Sequence, residues 1–459
     1  MKTTPGVWRH GQPYKEMQAM KNEVPVSRES NTTRRAFLKA SGAAAAGLAL
    51  AGKRNAYAAE KLAIDGGPPA VPKPDSDAWR WPRYGEAEEQ AVLELLRSPN
   101  YNNLEPLERE WRDYVGVPYA TAYCNGTSAL ASLFFALNLP PGSEIMVPSY
   151  TFFATIVPMR LFGLVPVFVD INPRTLNFDL DDAKKRLTPN TKAVMPVHWI
   201  GLPCDMDAIN DWAKEKGLIV LEDAAHAQGA KLKGKCMGAW SEMSITSYQM
   251  SKPLPAIEGG MGMYQTKEHH DRATVFGHYD TRGVSDDSSY KKYHGTGLGL
   301  KFRMHPMAAA LARCQLRTLE ERVTAGAAQV RRLNDVLTQL PGLYEQTSGR
   351  KDMRRIYYEW NMLFIDEKEA GVSREAVVKA LKAEGVRADA LSYRLQHKQP
   401  LYTEAAWWHH LPVIPELPGS DAANATSIAL PYFTREAPEM VEQYIKAFEK
   451  VWAHRSALT

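Results

Sequence analysis

A chain of 459 residues can bury a large core and accommodate two domains. Its 44 % hydrophobic and 24 % charged content is that of an ordinary globular protein. The formal charge of +4 is concentrated at one end: residues 1–58 carry ten Lys/Arg against three acids, and removing that surplus of seven leaves the body at −3. A mildly acidic body without a basic stripe gives no reason to expect nucleic-acid binding.

Taken in chain order, the first feature is an address. Arg34-Arg35 with Phe37-Leu38-Lys39 precedes the weakly apolar stretch 40–52, then Lys53-Arg54 and the small-x-small pattern Ala56-Tyr57-Ala58. A basic region, an apolar region and a cleavage pattern in that order are the parts of a secretory signal, and the paired arginines make it resemble a twin-arginine signal. The expected export machinery is therefore the twin-arginine route, which carries folded proteins, and the expected location is periplasmic or extracellular. The apolar stretch is too short and too rich in Ala and Gly for a stable membrane anchor. The leader is long, and Met17 and Met20 are alternative starts.

Residues 59–84 are rich in Pro and Gly and read as an extended arm. From residue 85 to 318, short apolar runs at 120–123, 144–147, 165–169, 193–197, 218–221 and 243–247 alternate with helical patterns at 128–137, 152–162, 180–187 and 206–216. That alternation predicts an α/β fold with a mostly parallel central sheet and helices on both faces. A long helical stretch, 306–339, leads into a smaller α+β domain over 319–459, with a strand at 357–365 and helices at 374–384 and 437–452. The four cysteines form no CxxC pair and have no metal-ligand spacing beside histidines, so neither a disulfide framework nor a metal site is expected.

Four segments carry chemistry, three of them just past strand ends, where parallel α/β folds hold ligands. In Cys124-Asn125-Gly126-Thr127-Ser128 a strand turns at a glycine into a helix start, where free N–H groups and hydroxyls suit a phosphate; Thr and Ser are equally ordinary helix caps. The apolar run 218–221 ends in Glu222-Asp223-Ala224-Ala225-His226, placing a carboxylate that could keep a pyridine nitrogen protonated, or merely cap a loop. Ser247-Tyr248-Gln249-Met250-Ser251-Lys252 precedes Glu258-Gly259-Gly260, and Lys is the side chain that condenses with carbonyl groups. Pro148-Ser149-Tyr150-Thr151-Phe152 sets an aromatic at a strand-to-helix turn, a place where core packing is the commoner use.

The order of phosphate cradle, aromatic, Asp and Lys resembles that of fold-type I pyridoxal-phosphate (PLP) enzymes. The runs Pro196-Val197-His198-Trp199-Ile200-Gly201, Glu222 to Gly229, and Ser247-Tyr248 with Lys252 and Gly259-Gly260 are similar to those of the DegT/DnrJ/EryC1/StrS family. Asp65-Gly66-Gly67 and Ala429-Leu430-Pro431 extend the resemblance over residues 64 to the C-terminus.

By that resemblance the fold is a fold-type I PLP-dependent transferase and the cofactor is pyridoxal 5'-phosphate. Lys252 would hold the cofactor's aldehyde and Asp223 would face its ring nitrogen. Phe152 would stack on the ring, His226 would reach its hydroxyl, and Gly126, Thr127 and Ser247 would hold its phosphate. Tyr393 and His397 match a stretch near the substrate entrance. The family usually has Asn two residues before its Arg, reaching the phosphate in a neighbouring subunit; here Gly299-Leu300-Lys301-Phe302-Arg303 places Lys301 there. A Lys can still meet a phosphate as a point charge.

The activity implied is transamination from an amino acid, glutamate by resemblance, to a keto sugar or ketocyclitol, in a homodimer. A dehydratase of the same family would carry His at position 252. A catalytically idle sensor that only binds PLP or a sugar would not need the lysine.

Overall fold

The central sheet grows from the short apolar runs, which are long enough for strands and separated by amphipathic helices. The computed structural model describes residues 59–279, 283–296 and 298–458; the leader expected over residues 1–58 lies outside them. In chain order the strands are β1 (Tyr119–Tyr123), β2 (Glu144–Pro148), β3 (Val165–Val169), β4 (Thr191–Val194), β5 (Ile219–Asp223), β6 (Lys231–Leu232) and β7 (Lys235–Cys236). Then come β8 (Met243–Ser247), β9 (Gly260–Tyr264), β10 (Leu343–Glu345), β11 (Met353–Arg354), β12 (Trp360–Ile365), β13 (Asp389–Ala390) and β14 (Ser427–Pro431).

Seven of them form one sheet in the order β1-β9-β8-β5-β4-β2-β3. The pairings from β3 through to β8 are parallel, and β9 is inserted antiparallel between β8 and β1. The mostly parallel sheet expected from the alternation is therefore present. Sequence reading missed β9, whose Gly-Met-Gly-Met-Tyr composition lacks β-branched residues. Gly260 is there for space: a Cβ on it would lie 2.6 Å from the Gly126 backbone nitrogen.

Three expected boundaries move for local reasons. The expected strand 193–197 is regular only to Val194; Pro196, which has no N–H, interrupts the ladder, and Val197 pairs again with Asp223 as an isolated parallel bridge. The helix expected at 152–162 is two 3₁₀ turns, Phe153–Thr155 and Val157–Phe162, with Pro158 opening the second. The long helix 306–339 is split at Thr318 into Pro306–Arg317 and Leu319–Leu337.

A four-stranded antiparallel sheet, β10-β12-β14-β13, packs with the helices Leu319–Leu337, Arg374–Ala383 and Pro438–Ala453 around Leu363, Ile428, Val441 and Phe448. The arm before residue 84 is fixed to this second core. The fully buried Glu384 accepts from the backbone N–H groups of Ala63 and Ala70, both at 2.8 Å, and pairs with the equally buried Lys450 at 2.9 Å. Paired and hydrogen-bonded in this way, the two charges can stay buried. Among the described residues no helix is long and apolar enough to cross a membrane.

Candidate active site

The carboxyl ends of β1, β2, β5 and β8 open onto one cavity of about 640 Å³. After β1, Asn125 caps the helix Gly126–Leu137 by accepting from Ser128 N at 2.8 Å, which holds the Gly126-Thr127 turn at the cavity wall. Gly126 is a close-approach glycine, since a Cβ there would stand 3.1 Å from the Ser247 Cβ at the end of β8. Gly126, Thr127 and Ser247 thus form one small polar corner. After β2 the chain presents Thr151, Phe152 and Thr155; Phe152 is 51 % exposed, an unusual state for a large aromatic beside a cavity.

Asp223 ends β5 and is buried against that wall. One carboxylate oxygen accepts from the Thr155 hydroxyl at 2.8 Å and the other from Ala225 N at 3.0 Å. Burial still raises its carboxyl above the ordinary value; the two hydrogen bonds and the charge of Lys252 oppose that shift only in part. Asp223 has no ion-pair partner among the described residues.

Lys252 sits across the cavity, its Nζ donating to the Tyr358 hydroxyl at 3.1 Å. Burial pulls its ammonium down to about 8, against the attraction of Asp223 and Glu359. At pH 7 about a tenth of Lys252 is then neutral and nucleophilic, far more than for an ordinary lysine. His226 is buried between Trp199 and Tyr358, ring centroids at 4.9 and 4.3 Å, and its Nδ1 has no hydrogen-bond partner. Burial and then the Lys252 charge hold it well below its ordinary value, so its imidazole is neutral.

Behind these groups lies a fully buried pair. Glu222 accepts from His198 Nε2 at 2.9 Å and from the backbone N–H groups of Gly238, Trp240 and Ser241 and the Ser241 hydroxyl. This network anchors the strand end that presents Asp223.

The sequence profile of the DegT/DnrJ/EryC1/StrS aminotransferase family matches residues 82–449. The chain belongs to this family. It is 30 % identical, over 87 % of its length and 94 % of the relative's, to a Streptoalloteichus tenebrarius protein assigned as an L-glutamine:3-amino-2,3-dideoxy-scyllo-inosose aminotransferase. It is 28 % identical to 3-amino-5-hydroxybenzoate synthase of Amycolatopsis mediterranei, over 76 % of this chain and 97 % of that one. Its fold superposes on DesI, solved in the presence of its TDP-sugar product, with TM-score 0.71, 27 % identity and coverage of 86 % and 97 % of the two chains.

The protein is accordingly an aminotransferase whose cofactor is pyridoxal 5'-phosphate. The side chains present fit that group. A buried carboxylate lacking a full counter-charge suits a protonated ring nitrogen, and the unpartnered Nδ1 of His226 suits a ring hydroxyl. The Gly126-Thr127-Ser247 corner offers N–H and O–H groups to a phosphate, and the depressed Lys252 amine suits an aldehyde.

Of the residues singled out in the sequence, Gly126, Thr127, Phe152, Asp223, His226, Ser247, Lys252 and Tyr393 all line this cavity. Two do not. His397 is buried behind β2, its Nδ1 2.6 Å from the Ser149 hydroxyl, so it supports the wall instead of facing substrate. Lys301 lies with Arg303 and Ile257 beside a different pocket, and its Nζ is 6.0 Å from the Tyr279 ring.

The sequence reading missed Tyr358, Glu359 and Trp360, which line the cavity from the start of β12. The aromatic run with one acid was there to see, but a regular strand would have hidden every second side chain.

Proposed function

We propose that Lys252, Asp223, Thr155, His226 and the Gly126-Thr127-Ser247 corner are the machinery of a glutamate-dependent aminotransferase acting on a keto sugar or ketocyclitol. The observation that carries this reading is the convergence of Lys252 and Asp223 on one cavity with a small polar corner of Gly126, Thr127 and Ser247 between strand ends. When bound, PLP supplies an electron sink that makes the α-hydrogen of an attached amino acid acidic.

The chain's residues do the rest. Asp223, oriented by Thr155, holds a proton on the ring nitrogen. Phe152 offers an aromatic face, and neutral His226 offers Nδ1 to the ring hydroxyl. Lys252 would hold the aldehyde carbon and, once displaced by the donor's amine, would be the free amine placed to take the proton from the donor's α-carbon and return it to the cofactor's former aldehyde carbon, across the intervening nitrogen. The acceptor half repeats these proton movements in reverse. A relative assigned to a cyclitol amine and another solved with a TDP-sugar support a polyhydroxylated keto acceptor.

The test is to mix cofactor-loaded protein with L-glutamate alone and follow the absorbance. One equivalent of 2-oxoglutarate with loss of the yellow colour is expected; an unchanged spectrum with every amino acid tried contradicts the reading.

A homodimer belongs to the same proposal. Lys301 stands outside its own chain's cavity, beside the half-exposed Ile257 and Leu300, as a residue serving a second copy would. Equilibrium sedimentation should give a dimer, and a fully active monomer would contradict it.

Export is proposed from Arg34-Arg35, the short apolar stretch and Ala56-Tyr57-Ala58. Changing Arg34-Arg35 to Lys-Lys should retain the protein in the cytoplasm; secretion of that variant would refute it.

A further inference from the structure

We propose that a second cavity, beside the first, is a subsite for the oxyanion end of a substrate whose reacting carbon lies at Lys252. It rests on the transamination reading above and adds to it a binding site.

This second cavity has a volume of about 220 Å³. It shares Ser251, Tyr358, Glu359 and Trp360 with the larger cavity, so the two lie on either side of a common wall. The wall exists because the chain is kinked there. Glu359 has φ +63°, a left-handed conformation rare for a residue with a Cβ, and Trp360 N donates to Tyr358 O at 2.6 Å across it. In a regular strand alternate side chains would turn away. The kink instead sets three consecutive side chains against both cavities, and strain of this kind concentrates at ligand sites.

The chemistry of the second cavity is aromatic and cationic. Its walls include Trp79 and Trp81 from the arm, with Tyr432 after β14. Arg387 lies 5.8 Å from the Trp79 ring and Arg322 5.5 Å from the Trp81 ring. Arg322 spends hydrogen bonds on the carbonyls of Gln315 and Pro253 and on the Thr318 hydroxyl, but has no carboxylate within ion-pair distance among the described residues. The exposed Arg387 side chain has neither a hydrogen bond nor an ion pair among them. Two carboxylates also touch this cavity. Asp389 is engaged by Lys382 at 2.7 Å, and Glu359 is attracted to Lys252 as well as to Arg387. Arg322 is thus left without a carboxylate and Arg387 shares Glu359 with Lys252, and a planar guanidinium suits a carboxylate or phosphate.

The cavity wall is joined directly to the reacting lysine: Trp81 Nε1 donates to the Lys252 backbone carbonyl at 3.1 Å. The oxyanion has two sources: the side-chain carboxylate of a dicarboxylic donor, or a phosphate carried by the acceptor.

The test uses cofactor-loaded protein and its Arg387→Gln and Trp79→Leu variants, titrated calorimetrically with glutarate and with inorganic pyrophosphate. At least one anion should bind the unmodified protein, and each substitution should weaken it tenfold or more. Glutarate dependence, with the half-saturating glutamate concentration raised in Arg387→Gln but that for alanine unchanged, assigns the donor carboxylate. Pyrophosphate dependence with donor kinetics unchanged assigns the acceptor phosphate. Equal binding of both anions to all three proteins, or no binding to any, overturns the subsite. Arg387-dependent binding in a protein that reacts with no amino acid would sink the transamination reading and leave the subsite standing.

Discussion

The Nζ of Lys252 lies 3.1 Å from the Tyr358 hydroxyl and 4.4 Å from the centre of the same ring. Tyr358 also meets the Ser251 hydroxyl at 2.8 Å, so the phenol is fixed by the residue next to the lysine it contacts. A buried amine held this way is oriented toward the cavity instead of drifting to solvent.

Tyr358→Phe keeps the ring and removes the oxygen. The free amine of Lys252 then loses the hydroxyl that orients it, and a hydrogen bond between neutral groups is worth about 0.5–1.5 kcal/mol. We predict a fall of several-fold, up to about tenfold, in the rate of the glutamate half-reaction, tenfold being about 1.4 kcal/mol. Rapid-mixing kinetics measure it. A rate equal to the parent protein's would show that the contact is incidental.

Asp223→Asn should leave PLP bound, because the Gly126-Thr127-Ser247 corner and Lys252 are untouched. Proton transfer should slow by about a hundredfold or more, since an amide cannot keep the ring nitrogen protonated. Near-parent turnover in this variant would reduce Asp223 to a cap for Ala225 and Thr155.

The Glu222–His198 pair makes a prediction about acid. Burial alone would raise the Glu222 carboxyl, but His198 and the surrounding donors leave it below its ordinary value of 4.5. A group depressed in the folded state contributes stability above pH 4.5, which is lost as pH falls through the lower, folded value. His198→Ala strands a buried carboxylate and should cost about 3 kcal/mol. Chemical denaturation at neutral pH tests the cost, and the acid-unfolding midpoint should move upward. An unshifted midpoint would mean that the pair carries no net stability.

Much of this was legible beforehand because apolar runs and turn residues act locally. The run 218–221 ending at Asp223, and Lys252 before Gly259-Gly260, reported both their strands and their place at strand ends. What stayed hidden depended on contacts distant in sequence. β9 forms from two glycines and two methionines because Gly260 lets it lie against the turn at Gly126. His397 matched a motif near the entrance, yet its partner Ser149, 248 residues away, draws it behind the wall. Tyr358, Glu359 and Trp360 read as ordinary strand, and the positive φ at Glu359 that turns all three toward the cavities has no sequence signature in a residue other than Gly or Asn.

We propose that Lys252 carries the cofactor. Borohydride reduction of the loaded, yellow protein, followed by proteolysis and mass spectrometry, tests it in one step. A single phosphopyridoxyl modification is expected, on the peptide containing Lys252, and none in Lys252→Ala. Modification of a different lysine, or no covalent product after full loading, would contradict it.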